Sequence, residues 1–330
     1  MVLQILFGFL FAFLLSFIIA IPIYKFLCKK KVGQPILEYV DKHSAKQGTP
    51  TMGGIIFLIS FILTTVFFIF GYVKIVYACM LFVLLNSLIG VYDDYLKIKG
   101  KKNLGLKPWQ KLVFQFCVAT LYGVFLYVNG LTFLIIPLSH FTINLGGWVI
   151  PLSVFLSIFY INSVNLTDGL DGVVSLVTLM VTCSIMAILG LILNDVLLKF
   201  SKIDNFGGNF VLLIAIFSGA ILGFIFYNCY PAKMFMGDTG SLSIGAFLIG
   251  VALATGTVIY ILIFGIMFIV SSVSVIMQVA YYKLTKKRIF LMAPIHHHFE
   301  LKGVHENRIT VAYALITVFV SLLILILEML

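Results

Sequence analysis

Ten apolar stretches follow one another along this chain, at 2–27, 52–71, 75–92, 112–129, 148–163, 172–193, 209–227, 240–255, 258–283 and 309–329. Most approach the roughly 20 residues that a helix needs to cross the hydrocarbon of a bilayer. Lipid offers no partner to backbone N–H and C=O groups, so such stretches must pair their own backbone, as helices. Composition agrees, with 62% hydrophobic and only 10% charged residues, where a soluble domain carries about 25% charged. No polar stretch is long enough to bury a core of its own. The sequence therefore predicts an all-α polytopic membrane protein, with residues 1–330 forming one integral-membrane domain. The first stretch carries Lys29, Lys30 and Lys31 after its apolar block, the reverse of a cleavable signal, and is expected to stay as a helix. Cys28, Cys79, Cys117, Cys183 and Cys229 stand singly, without metal-ligand spacing, and read as reduced packing residues.

Orientation follows from charge. With the N-terminus outside, segments 28–51, 93–111, 164–171, 228–239 and 284–308 face the cytoplasm. Only Lys74, Lys199 and Lys202 of the 22 Lys and Arg then fall on the other side. That is the positive-inside asymmetry of a membrane protein, with both termini outside. The net charge of +10 is thus a stripe along one membrane face, not a nucleic-acid footprint. The uncharged connection 130–147 is expected to form a small hairpin at the outer surface.

Among only 12 acidic residues, five aspartates gather where spans meet cytoplasmic segments: Asp93, Asp94, Asp168, Asp171 and Asp238. Capping could account for Asp171 or Asp238, since Asp suits helix N-termini. It does not account for Asp93 and Asp94, placed by this reading at a helix C-terminus, where the dipole disfavours negative charge. A charge at membrane depth costs about 2.5–3.5 kcal/mol by insertion scales, so a cation is expected beside the pair. Carboxylate oxygens together with phosphate and water suit Mg²⁺.

The neighbouring segments suit anions. Segment 97–111, KIKGKKNLGLKPWQK, holds Lys97, Lys99, Lys101, Lys102, Lys107 and Lys111, and a further basic group is Lys283, Lys286, Lys287 and Arg288. Attraction to anionic headgroups explains some of these. GTPTMGG at 48–54, with Thr51, offers N–H groups and hydroxyls just before a span, a cradle for phosphate. In APIHHHFE, His296, His297 and His298 are consecutive. Successive helical positions point 100° apart, so three cannot share one ion well. Hydrogen bonding to phosphate by one or two of them is the better expectation.

These motifs identify a resemblance. KQGTPTMGG (46–54), DDYLK (93–97), NLTDGLDG (165–172), NCYPAKMFMGDTGSL (228–242) and APIHHHFE (293–300) together resemble the phospho-N-acetylmuramoyl-pentapeptide transferases, essentially from end to end. The wider superfamily, which loads other UDP-amino sugars onto polyprenyl phosphate, shares the aspartate segments. The triple-histidine segment is what points to the muramoyl-pentapeptide branch, and a sister transferase is the alternative. The resemblance implies a ten-helix homodimer in the bacterial cytoplasmic membrane with its active site on the cytoplasmic face. It implies that phospho-MurNAc-pentapeptide passes from UDP-MurNAc-pentapeptide to undecaprenyl phosphate with Mg²⁺, leaving UMP.

By that resemblance Asp238 is the metal ligand, Asp93 deprotonates or orients the lipid phosphate, and Asp94 and His296 support the catalytic group. Lys46, Lys97 and Lys111 are the phosphate contacts expected. Asn165, Asp168, Gly169, Leu170 and Asp171 would bind the nucleotide, with Phe235 as a face for uracil. Thr51, Asn228, Gln278, His296 and His297 complete the expected substrate contacts. A transporter would need a carboxylate relay through the membrane, whereas these aspartates gather at one face. A structural or receptor protein would not need a carboxylate cluster beside basic loops.

Overall fold

The computed structural model describes residues 1–29, 48–69, 74–100, 105–139, 141–192, 197 and 206–330. Its helices are α1 (Val2–Lys29), α2 (Gly54–Phe68), α3 (Lys74–Gly100), α4 (Pro108–Val128), α5 (Val149–Thr167), α6 (Val173–Ala187), α7 (Phe206–Asn228), α8 (Gly237–Thr255), α9 (Val258–Phe264), α10 (Ile266–Thr285), α11 (Ile295–Leu301) and α12 (Glu306–Met329). Among the described residues nine helices are long and apolar enough to cross a membrane. The tenth stretch is α2, which at 15 residues is shorter, whereas α6 gains its spanning length from a π-helical continuation over Ile188–Ile192. The all-α polytopic architecture is therefore as expected.

Burial orders the bundle. α8 is almost wholly enclosed and packs on α3, α5 and α2, while α7 packs on α1, α6 and α2. α1, α4, α10 and α12 keep rows of exposed Leu, Phe, Ile and Val, such as Leu3, Phe7, Leu10 and Leu14 on α1. With lipid tails as apolar as leucine, helices associate through close packing, and small residues permit it. α8 supplies these as Gly240, Ser241, Ser243, Gly245, Ala246 and Gly250. At its head the fit leaves no room for a methyl group. A Cβ on Gly90 of α3 would collide with the Asp238 carbonyl, and one on Gly54 of α2 with the Gly240 backbone. The two glycines let α2 and α3 clasp the N-terminus of α8.

The single stretch expected at 258–283 is divided at Gly265 into α9 and α10. The Tyr160 hydroxyl lies against the bare Cα of Gly265 and donates to the Ile261 carbonyl at 3.4 Å. The hairpin expected in 130–147 is present. β1 (Phe133–Ile135) pairs antiparallel with β2 (Thr142–Asn144), with Phe133 opposite Asn144. It is tied to the residue after α8 by Ile135 N–H to Gly256 O, 2.9 Å. The hairpin thus marks the C-terminal end of α8, and the aspartates lie at the other.

A carboxylate and lysine cluster at the head of a buried helix

α3 runs on to Gly100, so Asp93 and Asp94 sit inside a helix and not at its end, as the sequence suggested. Both are buried, and with Asp238 they form a group whose ligand oxygens lie within 4.8 Å of one another. The three carboxylates have different partners. Asp94 faces the N-terminus of α8. Its Oδ1 accepts from the Asp238 N–H at 3.1 Å, and its Oδ2 accepts from the Thr239 N–H at 2.9 Å and the Thr239 hydroxyl at 2.7 Å. Asp94 is therefore the cap of a helix far along the chain, placed where the positive end of the helix dipole favours an anion. α8 has no side-chain cap of its own.

Asp93 accepts from the Leu106 N–H at 2.7 Å and pairs with Lys97 Nζ at 2.7 Å. Asp238 pairs through Oδ2 with Lys97 Nζ at 3.1 Å and Lys111 Nζ at 2.8 Å, and its Oδ1 accepts from Asn165 Nδ2 at 3.0 Å. Asn165 Nδ2 also reaches Ser241 Oγ at 2.8 Å. Three carboxylates against two ammonium groups leave one excess negative charge in a half-buried setting. The donors are all oxygen, the set that suits Mg²⁺. The Asp94 oxygens are held by backbone N–H groups and a hydroxyl at the head of α8, whereas Asp93 and Asp238 each meet lysine side chains that a cation can displace. Asp93 and Asp238 fit the role of ligand better.

The segment from Asn165, in the last turn of α5, to Gly172 joins this cluster to the histidines. At one side Asn165 holds Asp238. At the other, a Cβ placed on Gly169 would lie 2.5 Å from His296 Nε2 and 2.9 Å from His297 Nε2. Only a residue without a side chain lets both imidazoles come so near. His296 is fully enclosed, and neither ring nitrogen meets a hydrogen-bond partner among the described residues. Burial pushes its imidazole down to about 3, with adjacent His297 acting in the same direction. Desolvation, followed by the charges of Asp238 and Asp94, raises Asp168 well above the ordinary carboxylate range. His298 points elsewhere, its Nδ1 accepting from the Leu291 N–H at 3.1 Å.

Other expected contacts serve as staples in this structure. Asp171 Oδ2 accepts from the Ala232 N–H at 2.9 Å, while its own N–H donates to Glu306 Oε1 at 2.8 Å. Asn228, buried, accepts from Ser175 Oγ and donates to the Met234 carbonyl. Gln278 Oε1 accepts from the Ile289 and Phe290 N–H groups. The Phe235 backbone pairs with the 48–54 segment through Pro50 O and the Gly53 N–H, both at 2.9 Å. Its ring is half-buried, and Leu170 is buried. Thr51 is also buried beside Gly237 at the head of α8, its hydroxyl lacking a hydrogen-bond partner among the described residues. Lys46 lies outside the described residues. Sequence reading did not single out Thr239, Ser241, Glu300 or Glu306. Thr239 and Ser241 lie within the quoted GDTGS run, and Glu300 stands one helical turn from His297.

Residues 75–256 match the family described as Glycosyl transferase family 4. That stretch contains the enclosed α8, the carboxylate cluster and its two lysines. Residues 46–58 match a phospho-N-acetylmuramoyl-pentapeptide-transferase signature. A protein of that name from Clostridium novyi is 40% identical over 303 residues, covering 90% of this chain and 88% of the relative. One from Caldanaerobacter subterraneus is 40% identical over 293 residues, 88% of each. Another, from Aliarcobacter butzleri, is 39% identical over 313 residues, 91% and 86%. The chain belongs to the phospho-N-acetylmuramoyl-pentapeptide-transferase family.

Proposed function

We propose that this protein transfers phospho-MurNAc-pentapeptide from UDP-MurNAc-pentapeptide to undecaprenyl phosphate, giving undecaprenyl-pyrophosphoryl-MurNAc-pentapeptide and UMP. The observation that carries the reading is the meeting of Asp93, Asp94 and Asp238 with Lys97 and Lys111, in a chain about 40% identical to transferases of that name. The site is read as facing the cytoplasm of a bacterial plasma membrane, which the lysine distribution supports. The homodimer implied by the resemblance is part of the same reading.

Phosphoryl transfer is catalysed chiefly by positioning and charge neutralisation. Mg²⁺, when held by Asp238 with Asp93 in reach, supplies neutralisation of charge on the pyrophosphate oxygens. The chain's own residues do the rest. Lys97 and Lys111 approach Asp238 from two helices and hold positive charge where phosphate oxygens would gather. Asp93, fixed by the Leu106 N–H, orients or deprotonates the lipid phosphate that attacks. Asp94 keeps Asp238 in place by capping α8. Asn165, through Asp238 and Ser241, ties the 165–172 loop to the cluster, so that a nucleotide bound along the loop has its phosphates at the lysines. The enclosed, unsatisfied nitrogens of His296 carry a free-energy cost that a bound hydrogen-bonding group would relieve.

The test is UMP release by purified protein supplied with undecaprenyl phosphate. UDP-MurNAc-pentapeptide should be turned over, and UDP-N-acetylglucosamine should be inert. The opposite preference would assign the chain to a sister activity.

A further inference from the structure

Glu300 has no place in the chemistry described so far, yet it is buried. It lies one turn after His297 on α11, with Oε2 at 3.0 Å from His297 Nδ1. When ionised, Glu300 can only accept a hydrogen bond, which puts the imidazole proton on Nδ1. The neutral ring then keeps a bare lone pair on Nε2, because the bond made by one nitrogen sets the state of the other. That nitrogen is the one packed toward Gly169, in the loop whose Asn165 holds Asp238.

We propose that Glu300 is a positioning residue that locks His297 in its Nδ1–H tautomer, so that Nε2 accepts a hydrogen bond from an N–H or O–H donor of the bound nucleotide sugar. The proposal rests on the functional reading above for the identity of that ligand. Three features of the structure support it. Glu300 is 5% exposed and His297 17%, so the carboxylate is the deeper of two largely enclosed partners. The pairing has the i,i+3 spacing of neighbours on one helical face. A Cβ at 169 would meet both imidazoles, so glycine there is what lets Nε2 come up to the loop that leads to Asn165. An acceptor at this point also discriminates, since a ligand lacking the donor leaves the lone pair unsatisfied.

The experiment combines spectroscopy with kinetics. In protein labelled with [15N]histidine, His297 is assigned by the resonances lost in His297→Gln. At pH 8 the expected result is a protonated Nδ1 and an unprotonated Nε2, with the Nε2 signal moving when UDP-MurNAc-pentapeptide is added. A proton on Nε2, or rapid averaging of the two tautomers, overturns the proposal. In turnover, Glu300→Leu should raise KM for the nucleotide sugar about five- to tenfold with kcat nearly unchanged, the mark of a lost ground-state contact. Glu300→Leu combined with His297→Gln should lose no more than His297→Gln alone. Independent, multiplying losses would mean that the two residues do not act as a unit, and would also overturn it. The spectroscopic readout on wild type needs neither turnover nor a folded Glu300 variant. A wild-type protein that releases no UMP would therefore overturn the proposed function while the tautomer is still decided.

Discussion

Asp94 caps the helix that carries Asp238. Its carboxylate accepts the Asp238 N–H at 3.1 Å and the Thr239 N–H at 2.9 Å, joining residues 144 and 145 positions apart in the chain. The adjacent Asp93 turns the other way, toward Lys97 and the Leu106 N–H. Two neighbours in sequence therefore have different partners, one capping a helix and the other paired with a lysine.

This division predicts how Asp94→Asn behaves. Asparagine offers one acceptor oxygen where the carboxylate uses two, and turns an N–H₂ toward the head of α8. Buried hydrogen bonds to a charged group contribute about 1.5–3 kcal/mol. Thermal unfolding in detergent should show a loss of that order, with transfer reduced about 10–100-fold but still measurable. Wild-type stability combined with complete inactivity would instead place Asp94 among the reacting groups.

Lys97 lies between Asp93 and Asp238, at 2.7 and 3.1 Å, so it shares with any bound cation the charge of the same carboxylates. Lys97→Met should lower transfer by at least about 10²-fold, since a positive charge beside the phosphates is lost. The variant should also half-saturate at a lower Mg²⁺ concentration than wild type, because the carboxylates no longer have an internal counterion. Titrating residual UMP release with Mg²⁺ checks this, and a raised requirement would show that Lys97 does not compete for the site.

His296 predicts a pH effect on stability. Its folded-state imidazole titrates at about 3, against about 6.5 in an unfolded chain. Above pH 6.5 the ring is neutral in both states and contributes no slope. As pH falls below 6.5 the unfolded chain takes up a proton that the folded one refuses, so stability falls, by up to about 1.4 kcal/mol per pH unit. His296→Gln removes that component. Between pH 6.5 and 5 the variant should lose about 1–2 kcal/mol less than wild type, with parallel curves above pH 7. Identical curves across the whole range would contradict the enclosed, neutral ring.

Orientation has its own test. In a cysteine-free variant, a single cysteine replacing Lys107, which is exposed, should resist impermeant thiol reagents in intact cells. One replacing Asn144, on the hairpin at the other end of α8, should be labelled. The reverse pattern would put the lysine cluster on the outer face, away from a cytoplasmic nucleotide.

The apolar stretches were legible because lipid leaves a chain few choices: each must be helix, and its length is set by the bilayer. The break at Gly265 was not, since it arises where Tyr160 of another helix meets a bare Cα. The site was legible as residue types at one membrane face. The division of labour within it was hidden, because Asp94 caps a helix whose first residue lies more than 140 positions later. The bonds of Asn228, Gln278 and His298 to backbone groups 6 to 12 positions away were hidden because they depend on how the intervening turns fold. Glu300 went unread because an acidic residue one turn from a histidine is common on any helix.

The last prediction separates Asp93 from Asp238 and bears on the number of chemical steps. Asp238 meets two lysines and Asn165, and is the carboxylate best placed for metal. Asp238→Asn should abolish transfer and weaken metal affinity, just as EDTA should silence wild type and Mg²⁺ or Mn²⁺ restore it. Asp93→Asn should be slowed about 10²–10⁴-fold, the usual cost of losing a general base. It should still bind the uridine nucleotide, because the loop from Asn165 to Asp171 is untouched. Direct displacement by the lipid phosphate leaves no covalent phospho-sugar on either carboxylate. A two-step route would leave one on Asp93 or Asp238 when UDP-MurNAc-pentapeptide is supplied without lipid. Mass spectrometry of wild type and both variants after such incubation distinguishes the two. An adduct that forms at a competent rate and discharges when undecaprenyl phosphate is added would replace base catalysis by Asp93 with nucleophilic catalysis. For an adduct on Asp93, the Leu106 N–H and Lys97 would then be the groups that hold the attacking carboxylate.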